Sequence, residues 1–130
     1  MSGKGIWRLA VEESFSAAHA LRNFGGKCEN MHGHNYGVTA VVRGDRLDPD
    51  VGIVMDFGEF RAALKAILTN LDHRNLSETP PFDTLNPSSE NIARYVYGEL
   101  KKSLADRNVE VVSVEVAEKP GQSAIYSEEE

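Results

Sequence analysis

Apolar side chains recur at every second position from residue 7 to residue 21. The odd positions carry Trp7, Leu9, Val11, Glu13, Phe15, Ala17, His19 and Leu21, whereas the even positions are mostly small or polar. Because successive side chains of a strand point to opposite faces, this period of two predicts a long strand with one buried face. His19 falls on that buried face.

A second strand is predicted from residue 32 to about residue 46, and it carries two more histidines on one face. His32 and His34 share that face with Tyr36 and the apolar positions that follow. Side chains at i and i+2 of a strand lie about 6.6 Å apart, so small backbone adjustments bring two imidazoles onto one metal ion. Gly33 between them has no side chain to crowd the site.

Three imidazoles of matched parity, without a carboxylate ligand, suit zinc better than calcium or magnesium. Three interpretations remain open. His19, His32 and His34 could leave the fourth zinc position free for water or substrate, as in catalytic sites. Cys28 could instead close the sphere and make a structural site. The histidines could also be core residues that bind no metal.

The remaining pattern predicts an α+β fold with the element order ββααββ. Helices are expected over residues 56–71, with Asp56 and Glu59 as a capping box, and over residues 88–105, capped by Asn86 or Ser88. Strands follow at residues 108–118 and 123–128. These elements predict a four-stranded, largely antiparallel sheet with two helices on one face, and an irregular, surface-lying loop between Asp72-His73 and the second helix. The two open sheet edges could pair between subunits.

Four further side chains could carry chemistry. Cys28 is the only thiol, and a thiolate is a good base or nucleophile when neighbours lower its pKa. His73 could be that neighbour, with Asp72 orienting it. Adjacent residues of a regular element point apart, so this pair could cooperate only on irregular backbone or across subunits. Otherwise His73 is a residue at the C-terminus of a helix, where the helix dipole favours it. Glu118 falls on the inward face of its predicted strand. A buried carboxylate needs a partner, and a planar group with several hydrogen-bond donors would suit it. Alternatively, the strand has already ended and Glu118 lies in solvent.

Composition excludes some classes of function. Fourteen Lys and Arg oppose twenty Asp and Glu, a net charge of -6, which argues against nucleic acid as a partner. A single cysteine fits a reducing compartment, and neither a signal peptide nor a membrane-spanning segment is apparent. The sequence predicts a cytoplasmic protein of one domain, residues 1–130.

Several motifs together resemble the 6-pyruvoyltetrahydropterin synthase and 6-carboxytetrahydropterin synthase family. They are Phe15-Ser16-Ala17-Ala18-His19, Cys28 before His32-Gly33-His34-Asn35, Val54-Met55-Asp56-Phe57, Leu71-Asp72-His73, Pro87-Ser88-Ser89-Glu90-Asn91, Val116-Ala117-Glu118 and Ile125-Tyr126. The resemblance implies a tunnelling fold, in which three subunits close a barrel and two trimers stack into a homohexamer.

The same resemblance implies a set of roles. The zinc ligands are His19, His32 and His34, the thiol base is Cys28, and Asp72 and His73 assist across a subunit interface. Glu118 anchors the pterin ring, and Ser88 and Ser89 lie at the substrate. The expected substrate is 7,8-dihydroneopterin triphosphate, with zinc acting as a Lewis acid on the side-chain hydroxyls.

Spacing within the motif distinguishes the branches of the family. Three residues separate Cys28 from His32, as in bacterial 6-carboxytetrahydropterin synthases of queuosine biosynthesis, whereas the animal-type pyruvoyl enzymes have a longer segment. Glu29 resembles the glutamate of a third branch, which cleaves dihydroneopterin for folate synthesis. Glu29 is therefore either a second catalytic base or a solvated loop carboxylate.

Overall fold

A computed structural model describes residues 3, 5–23 and 30–129 of the chain. Its regular elements are β1 (Trp7–His19), β2 (His32–Gly44), α1 (Phe57–Thr69), β3 (Arg74–Asn75), α2 (Ser89–Ser103), β4 (Glu110–Lys119) and β5 (Gln122–Tyr126). The strands form one sheet in the order β3-β1-β2-β4-β5. All neighbours are antiparallel except β3, which pairs in parallel with β1.

The core lies between one face of this sheet and the two helices. Val11 and Phe15 of β1 point inward beside Tyr36 and Val38 of β2, and each is nearly or fully buried. The helices contribute apolar stripes, which include Phe60, Leu64, Ile67 and Leu68 from α1 and Ile92, Ala93, Val96, Tyr97 and Leu100 from α2. The α+β fold and the position of the helices predicted from periodicity are therefore confirmed. Neither helix has the length and apolarity that a membrane crossing requires.

The expected four strands become five because the loop after α1 adds a strand. Arg74 and Asn75 pair with Ala17 and Ala18 at the edge of β1, and two residues are too few for alternation to reveal a strand. The loop also does not lie entirely on the surface, since Leu76 and Phe82 are completely buried.

The alternation that gives Glu118 its inward parity also predicts that Val112 faces inward, and at Val112 this prediction is wrong. The register shifts between Val41 and Val42, so that Val42 opposes Val111 while Val41 opposes Ser113. Val112 is therefore the extra residue of a bulge, and Val111 takes its place against the core. From Val114 onward the predicted parity holds.

Both helices begin at capping residues. Asp56 accepts a hydrogen bond from the Gly58 backbone at 2.9 Å, but the reciprocal half of the capping box is absent from the described hydrogen bonds, and Glu59 pairs with Arg107 instead. Of the two candidates for α2, Ser88 is the cap, because its hydroxyl accepts from the Asn91 backbone at 3.1 Å.

The end of β2 gives a stability prediction. A Cβ on Gly44 would lie 2.7 Å from Cγ1 of the stiff Val54 side chain and 3.3 Å from the Asn108 carbonyl oxygen. Gly44→Ala should therefore lower the free energy of unfolding by about 1–3 kcal/mol. Gly98→Ala, in open space within α2, should raise it by about 0.5–1 kcal/mol. Urea denaturation of both variants checks the pair, and equal effects would contradict the packing argument.

Candidate metal centre and active site

Three imidazoles converge where β1 ends and β2 begins. His19 opposes His32 across the strand pair, and His34 opposes Ala17, so all three rings lie on the same face of the sheet. The ligand nitrogens lie within 4.8 Å of one another, and the Nε2 atoms of His19 and His32 are 3.0 Å apart. The predicted convergence of these rings follows from the strand register.

Backbone carbonyls fix the tautomers of two of the rings. Nδ1 of His19 lies 2.8 Å from the Pro87 carbonyl oxygen, and Nδ1 of His32 lies 2.7 Å from that of Asn30. A carbonyl oxygen can only accept a hydrogen bond, so each Nδ1 carries the proton. The Nε2 lone pairs of His19 and His32 are then directed at each other, which is the arrangement of metal-binding imidazoles with outer hydrogen bonds.

The third ring gives a further reason to place a cation here. Nε2 of His34 is buried and has no hydrogen-bond partner among the described residues, a state that costs roughly 1–3 kcal/mol. Burial lowers the pKa of His19, opposed by the hydrogen bond to Pro87 and helped by the neighbouring rings, and this favours the neutral ring that can coordinate a metal. The three nitrogen atoms fit a zinc ion, which prefers nitrogen or sulfur ligands at about 2.0–2.3 Å.

Glu118 stands beside this cluster at the end of β4. Its Oε2 atom is 3.8 Å from Nε2 of both His19 and His34, and Gln122 donates to Oε1 at 3.4 Å. The strand continues to Lys119, so Glu118 keeps the inward parity that the sequence predicts. It shares a cavity of about 510 Å³ with His19, Ser88, Ser89, Gln122 and Ser123.

Asp72 and His73 form a pair on irregular backbone. His73 has φ of 57°, in the left-handed region, and its Nδ1 donates to Oδ2 of Asp72 at 3.0 Å. Asp72 also accepts from the Ser16 backbone at 2.9 Å, and this bond, helped by His73, lowers the pKa of its carboxyl group. The left-handed residue lets two adjacent side chains meet, which a regular element would prevent.

Asp72 and His73 are not among the side chains whose ligand atoms converge. His73 lines an open cavity of about 480 Å³ together with Ser16, Asn35 and one ring of the cluster, His34. Ser16 and Asn35 have the opposite parity from His19 and point to the face of the sheet that the helices leave uncovered. Within the described part of one chain, the histidine cluster and the Asp72-His73 pair are therefore two separate groups.

Comparison with known proteins identifies the family. The family model described as 6-pyruvoyl tetrahydropterin synthase matches residues 8–129. The chain belongs to this family. The resemblance read from the motifs is thus confirmed, and so is the α+β fold of the single chain that it implies.

Named relatives within the tetrahydropterin synthase family differ in activity. The chain is 35% identical over 102 residues to the 6-carboxy-5,6,7,8-tetrahydropterin synthase of Synechocystis, covering 75% of this chain and 78% of that protein. It is 34% identical over 97 residues to the dihydroneopterin monophosphate aldolase of Pyrococcus furiosus, covering 75% and 77%. The structure of Caenorhabditis elegans 6-pyruvoyl tetrahydropterin synthase superimposes with a TM-score of 0.84 at 31% identity, covering 99% and 100% of the two chains. Pterin chemistry is common to all three names.

Two predicted catalytic residues, Cys28 and Glu29, lie outside the described residues. Conversely, sequence reasoning missed two groups that contact the metal cluster. Tyr36, which is completely buried, places its hydroxyl 2.9 Å from Nδ1 of His19. The sequence could have indicated this contact, because Tyr36 lies on the same strand face as His34. The Pro87 carbonyl had no such signal, because no pattern of side chains reports a backbone hydrogen bond over 68 positions.

Proposed function

We propose that this chain is a zinc-dependent lyase that cleaves the side chain of 7,8-dihydroneopterin triphosphate to give 6-carboxytetrahydropterin, a precursor of queuosine and other deazapurines, in the cytoplasm. The observation that carries this proposal is the joint position of four side chains. One ring nitrogen of each of His19, His32 and His34 lies within 4.8 Å of the others, and Glu118 lies 3.8 Å from Nε2 of His19 and of His34. A metal site and a carboxylate are thus available to one small substrate.

In this proposal His19, His32 and His34 hold zinc. When bound there, zinc supplies a Lewis acid that stabilises negative charge developing on the oxygens of the substrate side chain. The hydrogen bonds to Pro87 and Asn30 keep two ligand rings in the required tautomer. Cys28, as thiolate, removes a proton from the side chain, and His73, oriented by Asp72, exchanges a proton with the substrate.

Glu118 is proposed to bind the pterin ring. A carboxylate offers two acceptor oxygens in one plane, which match the adjacent 2-amino and N3–H donors of a pterin. Within the described residues, Glu118 accepts one long hydrogen bond, from Gln122 at 3.4 Å, so it has acceptor capacity to spare. Ser88 and Ser89 line the same cavity. The Ser88 hydroxyl accepts from Asn91, which leaves its own proton for the substrate.

A homohexamer accounts for the separate placement of Asp72 and His73. Within the described part of one chain, Asp72 and His73 are not among the side chains that converge on the metal cluster, so we propose that the pair acts on the site of a neighbouring subunit. The short β3 and the five-residue β5 end the sheet and provide edges for subunit contacts. We propose three chains around a barrel and two such trimers stacked.

The aldolase of Pyrococcus furiosus supports a second candidate. That relative is named for cleavage of a dihydroneopterin monophosphate, and Glu29 directly follows Cys28 in this sequence. In this alternative, Glu29 is the base and the product is 6-hydroxymethyldihydropterin for folate synthesis. The pyruvoyl reaction of the animal-type enzymes is a further alternative, which the short spacing between Cys28 and His32 disfavours.

Product analysis tests the assignment. The purified, zinc-loaded protein is incubated separately with dihydroneopterin triphosphate and with dihydroneopterin, and the pterins and aldehydes are quantified. The proposal expects 6-carboxytetrahydropterin and acetaldehyde from the triphosphate. Glycolaldehyde as the only aldehyde would show the aldolase instead, and 6-pyruvoyltetrahydropterin without an aldehyde would show the animal-type reaction.

Replacing Glu118 by glutamine should weaken substrate use without affecting the metal. Loss of the charged acceptor removes roughly 1.5–3 kcal/mol of hydrogen bonding, so kcat/KM should fall about 10- to 100-fold. The matched control is Glu110→Gln, the same change at the far end of β4, where the carboxylate pairs with Arg43 on the surface. Steady-state kinetics with zinc analysis check both. Loss of zinc from Glu118→Gln would contradict the role in pterin binding.

A further inference from the structure

The side-chain amide of Asn86 forms hydrogen bonds with the backbone just beyond His19, the first of the proposed metal ligands. The ladder between β1 and β2 stops at His19, three residues before Arg22. The backbone N–H of Arg22 donates to Oδ1 of Asn86 at 2.9 Å, and Nδ2 of Asn86 donates to the Arg22 carbonyl at 2.8 Å. Asn86 therefore takes the place of a neighbouring strand and satisfies both backbone groups of one residue.

The same short segment also holds the ring of His19. Residue 87, directly after Asn86, supplies the carbonyl oxygen that accepts from Nδ1 of His19 at 2.8 Å. The Asn86 carbonyl in turn accepts from Nδ2 of Asn91 in the first turn of α2 at 2.9 Å. Residues 86–87 are thus tied to the helix on one side and to residues 19–22 on the other.

We propose that Asn86 is a positioning residue for the metal centre. By holding the backbone of Arg22 on both sides, it keeps the Pro87 carbonyl against Nδ1 of His19, and thereby fixes the tautomer and direction of that ligand. The outer partners of a metal-binding histidine act in this way on the ligand. The identity of the metal rests on the proposed function, whereas the position of the ring does not.

Asparagine is the side chain that this geometry requires. Its amide has one donor and one acceptor in the same plane, which pair with the N–H and the C=O of a single residue. Aspartate has the same shape and keeps the acceptor, but it loses the donor and places an oxygen against the Arg22 carbonyl. Alanine loses both bonds.

Zinc affinity provides the first test. The dissociation constant for Zn²⁺ is measured by competition with a chromophoric chelator for wild type, Asn86→Asp and Asn86→Ala. Both variants should bind about tenfold more weakly, at the lower end of the roughly 10- to 100-fold cost of losing an outer partner. Asp56→Ala is the control, because it removes the cap of α1 and costs about 1 kcal/mol of stability away from the site. Unchanged affinity in both Asn86 variants, or equal weakening in the control, would overturn the proposal.

A second measurement needs no metal. Long-range ¹H–¹⁵N spectra of the metal-free protein report the tautomer of each histidine. Wild type should show His19 protonated at Nδ1, and Asn86→Asp should show a mixture of tautomers at His19 with His73 unchanged. An unaltered His19 tautomer in the variant would refute the positioning role. If wild-type protein bound no zinc, the proposed lyase would fail, and this measurement would still decide the role of Asn86.

Discussion

Replacing His34 by alanine should leave the protein folded but without bound zinc and without side-chain cleavage. Two imidazoles would remain, and zinc sites in proteins use at least three protein ligands. Loss of a hydrogen-bond partner of a ligand typically lowers metal affinity roughly 10- to 100-fold. Loss of the ligand itself should therefore lower zinc affinity by a larger factor. Metal analysis after dialysis and turnover of dihydroneopterin triphosphate measure the two effects.

The fourth histidine supplies the matched control. His73 is not among the clustered ligand residues, so His73→Ala should keep the full zinc content and lose turnover only. If His73→Ala lost zinc as completely as His34→Ala, the metal centre would not consist of the three clustered imidazoles.

Thermal stability separates the ligand role from a packing role. Without metal, Nε2 of His34 is buried and has no hydrogen-bond partner among the described residues, and deleting it removes a penalty of roughly 1–3 kcal/mol that offsets the lost contacts. The metal-free variant should therefore unfold within about 1 kcal/mol of metal-free wild type. Zinc at 1,000 times the wild-type dissociation constant should stabilise wild type by about 4 kcal/mol and the variant hardly at all. A large loss of stability in the metal-free variant would show that His34 is mainly a packing residue.

The part of this site that periodicity could predict is the part built on regular strands. A period of two assigns His19, His32 and His34 to one face, and the antiparallel register then brings their rings together. Glu118 was placed in the same way, because the pairing of β4 with β2 keeps its register up to Ala117, although the pairing with β5 shifts between Val116 and Lys119. Each of these positions depends only on counting residues along a strand.

The features that sequence reasoning missed depend on irregular backbone or on distant hydrogen bonds. The left-handed conformation of His73 supplies the irregular backbone that a contact with Asp72 requires, but no pattern of apolar and polar residues predicts that conformation. The bulge at Val112 changes which residues of β4 face the core, and no glycine or proline in the sequence marks its position. Asn86 suggested a helix cap, yet its amide pairs with Arg22 on the other side of the site.

Replacing Cys28 by alanine distinguishes a catalytic thiol from a structural ligand. In the proposed lyase, the three histidines hold the metal and Cys28 moves a proton. Cys28→Ala should therefore retain one zinc per chain while the rate of 6-carboxytetrahydropterin formation falls about 10²- to 10⁴-fold, the usual contribution of general acid–base catalysis. Zinc content and single-turnover rates are measured on the same preparation. Loss of zinc would instead indicate a closed site of three histidines and one cysteine, and with it a structural zinc protein.

Glu29→Gln completes this comparison, because the two neighbouring residues serve different reactions in the two candidate functions. If the lyase assignment is right, this variant keeps most of the activity on the triphosphate, and only Cys28→Ala abolishes acetaldehyde release. If the protein is the folate-pathway aldolase, Glu29→Gln loses glycolaldehyde release from dihydroneopterin by a similar 10²- to 10⁴-fold factor, while Cys28→Ala remains active. A chain that carries out both reactions would show each loss separately, since a thiolate and a carboxylate differ too much in basicity to replace each other at one proton.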